Sequence, residues 1–157
     1  MRAAFVSAAL ALVVALAGCG GGGSQPETVT ARDDVQAFVQ EVVDYAEANG
    51  QKAALEAIND PQGPFRRGEL YIFAYDFNGN VIAHGGNAEL IGQNIAGMDD
   101  GYGNELLTQF LATVKAGGGW VEYLWPDPTD GNKRKRKWGY VAAVDDTWWV
   151  GAGTYEK

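Results

Sequence analysis

Few side chains in this sequence are equipped for covalent chemistry. Beyond Ser24 there is no serine, and beyond Cys19 no cysteine. Serine- and cysteine-nucleophile hydrolysis is therefore excluded from the folded part of the chain. The single histidine, His84, cannot build a multi-histidine zinc or iron site. Asp76-Phe77-Asn78-Gly79-Asn80 has the outline of a calcium loop, but the glycine comes too early and no bidentate glutamate closes it. It reads instead as a hairpin turn. Asp99-Asp100-Gly101 reads as a turn before a helix, with a metal site as the alternative. The glycine runs 20–23 and 117–119 lack the lysine of a phosphate loop. Glu122 and Asp145 are the carboxylates an acid–base enzyme would use, yet nothing in their spacing singles them out. No cofactor is expected.

What remains is the chemistry of binding. Strand alternation places Tyr71, Phe73 and Tyr75 on one face, and Tyr123 and Trp125 together on another. Such faces form either plain sheet core or the wall of a small-molecule pocket. His84 either donates to a bound carboxylate or is a satisfied structural histidine. Arg66 and Arg67 are a further choice for an anion contact. The basic run 133–137 reads as a solvated hairpin loop, with contact to anionic headgroups as the sharper alternative. The whole chain is acidic, with a formal net charge of −8, which argues against nucleic acid as a partner.

These side chains must be positioned by an alternation of helices and strands. Val35, Phe38, Val39, Val42 and Ala46 recur at helical spacing, opposed by Gln36, Gln40, Glu41, Asp44 and Glu47. Thr30-Ala31-Arg32-Asp33 opens that helix as a capping box with Asp for Glu, and Asn49-Gly50 closes it. A shorter helix follows over 51–59, ending before Pro61. Strands are expected over 70–76 and 80–84, joined at Asn78-Gly79. A second amphipathic helix carries Leu106, Leu107, Phe110, Leu111 and Val114. Three strands complete the chain over 120–125, 137–144 and 148–155, with 126–136 a loop. The order predicts an α+β fold: an antiparallel sheet of about five strands, a long N-terminal helix and the second amphipathic helix.

The N-terminus adds an address. Arg2, a short apolar run and small residues before Cys19 read as an export signal over 1–18. That run is shorter than a membrane span, which needs about 20 residues. Leu16-Ala17-Gly18-Cys19 resembles the cleavage box of bacterial lipoproteins, which makes Cys19 the lipidated residue and 19–29 a flexible tether. The expected localisation is extracytoplasmic, lipid-anchored to a membrane and on the periplasmic side in a Gram-negative cell.

Read in order, Gly68-Glu69-Leu70-Tyr71-Ile72-Phe73-Ala74-Tyr75-Asp76, Gly79-Asn80-Val81-Ile82-Ala83-His84, Ile91-Gly92-Gln93-Asn94 and Gly119-Trp120-Val121-Glu122-Tyr123-Leu124-Trp125-Pro126 resemble the single Cache domain of bacterial sensors. Lys137-Trp138-Gly139-Tyr140-Val141 and Trp149-Val150-Gly151-Ala152-Gly153-Thr154-Tyr155 extend the likeness, which covers roughly 30–157. The resemblance implies a PAS-like curved antiparallel sheet with a small ligand pocket, and a ligand such as a short carboxylic acid. It also implies Lys137 and Tyr140, the family's Lys-x-x-Tyr pattern, as ligand contacts. The expected ligand-binding set is thus Tyr71, Phe73, His84, Tyr123, Trp125, Lys137 and Tyr140. Gly85 and Gln93 depart from the proline and lysine expected at their positions. No output module of its own is expected, and the expected partners are a sensor kinase or chemoreceptor. The alternative function is a docking module for such a partner that binds no ligand.

Overall fold

The computed structural model describes residues 32–156. The expected signal segment, Cys19, the tether and the first two residues of the capping box lie outside the described residues. Helix α1 (Arg32–Asn49) buries Val35, Phe38, Val39, Val42, Val43 and Ala46 along one stripe. Gly50, at φ +84°, breaks the path between α1 and α2 (Gln51–Asn59). The chain then enters the sheet through β1 (Arg66–Arg67), β2 (Leu70–Asp76) and β3 (Val81–His84). Helix α3 (Leu106–Lys115) separates these from β4 (Gly119–Asp127), β5 (Lys133–Ala143) and β6 (Trp148–Tyr155).

The six strands form one antiparallel sheet in the order β1-β2-β6-β5-β4, with β3 also paired to β2. The mixed α+β expectation holds. The strand beyond the expected five is β1, two residues paired to Leu70 and Tyr71. It is too short to leave a periodic signal.

Each face of the sheet has its own core. On one face α1 and α2 pack against Leu70, Ile72, Ala74, Trp148, Val150 and Ala152. On the other, α3 and the loop before it cover Tyr71, Phe73, Tyr75, Tyr123, Val141 and Trp149. The odd and even residues of β2 therefore go to different layers, as a period of two requires. All of Leu70–Tyr75 is buried, because both faces are covered.

The expected loop over 126–136 is corrected. Strands β4 and β5 continue through it to the pair Asp127↔Lys133, leaving a tight turn at 128–132. The basic run is held in extended conformation by carboxylates. Lys133 pairs with Asp130, Lys135 with Asp127 and Asp130, and Arg136 with Glu122 and Glu156. Three of the five cations of the run are so paired, which weakens its pull on anionic headgroups.

Candidate functional site

The second face is where the sequence-predicted residues gather. Lys137 sits on β5 directly between Tyr123 of β4 and Tyr155 of β6. Phe73 of β2 lies between His84 of β3 and Gly151 of β6. Three glycines on this face make the arrangement possible. A Cβ at Gly151 would fall 2.5 Å from the Phe73 ring, and one at Gly153 3.0 Å from Cε of Lys137. At Gly139 it would meet the Tyr123 ring at 3.0 Å. The aromatic rings and the lysine stem lie flat over bare backbone where neighbouring strands carry no side chain.

Lys137 is 1 % exposed. Its Nζ donates to Tyr71 Oη at 2.8 Å and lies 4.3 Å and 4.8 Å from the ring centres of Tyr71 and Tyr155. Both rings are at cation–π range. Among the described residues no carboxylate comes within ion-pairing distance of it. An ammonium has three donors, and one protein acceptor is present. The rest of its hydrogen-bonding capacity is unfilled, and only the two rings, with no anion among the described residues, offset its charge.

His84 is buried beside it. Its Nδ1 accepts from the N–H groups of Gly86 at 3.2 Å and Asn87 at 2.9 Å. The proton of the neutral ring is therefore on Nε2, which has no protein partner among the described residues and borders the cavity. Burial, reinforced by the Lys137 charge, lowers its pKa to about 3. The folded state then binds fewer protons than the unfolded one between about pH 6.5 and pH 3. Stability should fall with pH across that window by up to about 1.4 kcal/mol per unit. His84→Asn retains an acceptor near the Nδ1 position and does not titrate. Denaturant titrations between pH 7.5 and 4.5 should show the parent losing stability relative to this variant. A constant gap would mean that the imidazole is not held neutral.

Two chambers with lining residues in common open on this face. The inner one, about 10 Å³, is enclosed by Tyr75, Phe110, Tyr123 and Lys137 and has room for about one water. The outer one, about 320 Å³, shares Tyr71, His84 and Trp125 with it. Its other walls are Asn87, Leu90 and Met98 from the loop and Arg134 from β5. A small organic ligand fits the outer chamber and reaches the inner one only with a terminal group.

Six of the seven expected site residues, Tyr71, Phe73, His84, Tyr123, Trp125 and Lys137, border these chambers. Tyr140 is separated from them and its expected place is corrected. It packs edge-on against Trp120, in the core beneath α1. Lys137 and Tyr140 are three residues apart on a strand, so they must face opposite layers. Gly85 and Gln93 border neither chamber. The Gly85 N–H donates to Ile72 O at 2.8 Å, a bond that proline could not make. Tyr155 and Phe110 were not in the expected set. Tyr155 shares the parity of Lys137 across β5 and β6, a signal that needs the strand register.

The other carboxylate clusters serve the scaffold. Asp76 accepts from the N–H groups of Asn78 and Asn80 and from the Asn80 amide, closing the β2–β3 turn. The Asp100 carboxylate accepts from Tyr102 N–H at 2.8 Å, Asn104 N–H at 2.9 Å, and the side chains of Asn104 and Gln109. Desolvation pushes its pKa up, but these bonds together hold it below the usual carboxylate range. The Asp100 carbonyl also accepts from Leu124 N–H at 2.7 Å, so this loop covers the free edge of β4 next to Trp125. Glu122 is paired with Arg136 and Tyr102, and Asp145 accepts four bonds from Thr147 and Trp148. Each of the two is engaged in a local contact. Arg67 pairs with Glu41 of α1, and Arg66 donates to Gly85 O at 3.2 Å.

The profile of Single Cache domain 2 matches residues 28–157. The chain belongs to that family. Cache domains are extracytoplasmic ligand-binding sensor domains of histidine kinases and chemoreceptors, and act by binding, without catalysis. The sensor histidine kinase MctS of Rhizobium johnstonii is 36 % identical over 86 residues, a stretch covering 54 % of this chain but only 18 % of the kinase. A Cache chemosensory domain solved for carboxylic acid recognition superposes with a TM-score of 0.66 at 27 % identity, covering 80 % of this chain and 92 % of that one. The methyl-accepting chemotaxis protein of Vibrio parahaemolyticus shares the fold, with a TM-score of 0.67 at 23 % identity over 78 % of this chain and 86 % of that one. No helix among the described residues of this Cache domain is long and apolar enough to cross a membrane.

Proposed function

We propose that this Cache domain is a lipid-anchored extracytoplasmic receptor for a small carboxylate, working through a sensor kinase or chemoreceptor. The observation that carries the reading is the buried, carboxylate-free ammonium of Lys137 at the inner end of a cavity. A carboxylate there supplies both the missing charge and the missing acceptors. The Nε2–H of His84 and the hydroxyl of Tyr71 border the same space, and Trp125 offers an apolar wall. The similarity to a carboxylic-acid-recognising Cache domain points the same way. Lipidation at Cys19 rests on the Leu-Ala-Gly-Cys sequence. The partner class rests on the kinase and chemoreceptor relatives.

The test is a thermal-shift screen of the full-length chain against acetate, propionate, pyruvate, butyrate, amino acids and purines. An acid present at 100 times its dissociation constant stabilises the fold by about 2.7 kcal/mol, which moves the melting point by several degrees. A flat response to every acid overturns the ligand reading and leaves a ligand-independent docking module. In cell fractionation the parent should travel with membranes and Cys19→Ser should not. Equal partitioning of the two would overturn the anchor.

A further inference from the structure

We infer that the outer part of the sheet, over β4 and β5 on the α1 side, is a docking surface that lies on the lipid headgroups of a membrane. The inference rests on the lipid-anchor reading above and adds the surface that meets the bilayer. Helices α1 and α2 cover this side of the sheet at β2 and β6. Further out, alternation brings Glu122, Leu124 and Pro126 of β4 and Arg134, Arg136 and Trp138 of β5 to the same side. All six are partly or fully exposed. Tyr102, 49 % exposed, reaches across to them and donates to Glu122 Oε1 at 3.2 Å.

The start of α1 stands on this surface. The Arg32 guanidinium lies 4.0 Å from the ring centre of Trp138 and 5.5 Å from that of Trp120. Twelve residues, 20–31, separate Arg32 from Cys19, and a chain of that length spans at most about 43 Å. A lipid on Cys19 therefore keeps this edge of the domain near the bilayer. Indole and phenol rings, with an apolar body and a polar tip, favour the headgroup layer. Arg32 and Arg134 have no carboxylate partner among the described residues, so two guanidinium forks are open to phosphate oxygens. Arg136 engages both Glu122 and Glu156, which leaves neither acid free to repel a phosphate. Asp33 and Asp34, in the first turn of α1, keep the surface from being strongly cationic. The contact is thus made by rings and forks rather than by net charge.

The test reconstitutes the full-length chain, processed in cells, into vesicles of phosphatidylglycerol and phosphatidylcholine with or without bromine on the acyl chains. Bromine quenches only indoles that touch the bilayer. Trp148 and Trp149 are buried and supply an unquenched background. The brominated vesicles should quench the parent, and Trp138→Phe should lose the share of its indole. Arg134→Glu keeps every tryptophan and should roughly halve the quenching, one of the two open forks being lost. A parent that sediments with the vesicles but is not quenched overturns the inference while the anchor stands, as does quenching indifferent to both substitutions. A photoreactive phenylalanine in place of Leu124 that captures a protein in cells, and no lipid, overturns it in favour of a protein interface. A parent that does not sediment with the vesicles overturns both the anchor and the docking surface.

Discussion

Lys137→Met should abolish the response to carboxylates and leave an unliganded protein that melts no lower than the parent. An unpaired ammonium loses several kcal/mol of hydration when it is buried. Against this stand one hydrogen bond, worth about 1.5–3 kcal/mol to a charged group, and two cation–π contacts of about 2 kcal/mol or less each. The contributions nearly cancel, so the charge adds little to the fold. Methionine keeps the unbranched stem that lies along Gly153, and removes the charge. Tyr71 Oη borders the cavity, where water can replace the lost donor. The stabilisation by about 2.7 kcal/mol at saturating acid should vanish at the same time. Differential scanning calorimetry of both proteins, with and without the best acid from the screen, reads both quantities. A variant that melts well below the parent and still gains from the acid would make Lys137 a structural residue.

That contrast explains why some of the site was legible in the sequence and some was not. The aromatic face of β2 and the Tyr-x-Trp pair of β4 follow from alternation alone. They reach the cavity because the alternate residues of β2 and β6 are what α1 and α2 cover. Tyr140 shows the limit of a motif read without its geometry. The parity that joins Tyr123 to Trp125 also separates Lys137 from a residue three places on. The basic stretch 133–137 looked like a loop because its composition is that of one. It runs as a strand paired to β4 and β6, with Asp127, Asp130, Glu122 and Glu156 pairing three of its five cations, and Glu156 is reached only through the register of β6 with β5. Tyr155, Arg134 and the outer wall at Leu90 and Met98 depend on pairings and loop paths with no local signature. The glycines at 139, 151 and 153 were visible as residues, but their purpose depends on which side chain crosses them.

Phe110→Ala should bring the largest loss of stability and change what the cavity accepts. Helix α3 has ten residues, too few to persist without tertiary support. It is held by Leu106, Leu107, Phe110 and Val114. The Phe110 ring centre lies 5.2 Å from that of Tyr123, 5.3 Å from Trp149 and 6.0 Å from Phe73, so one side chain links α3 to three strands. Truncation of a buried phenylalanine costs about 3–5 kcal/mol. A domain with about 5–15 kcal/mol in total is then left near its limit. The ring is also a wall of the inner chamber, so its loss converts a space for one water into one that joins the outer chamber at full width. Bulkier acids such as phenylacetate should gain relative to propionate, and should recover part of the lost melting temperature by filling the void. Val114→Ala separates the two effects: it weakens the same helix, but Val114 borders neither chamber. The Val114 variant should therefore melt lower than the parent with an unchanged order of ligands. If both variants keep the parental order, Phe110 holds α3 to the sheet without limiting the length of the ligand.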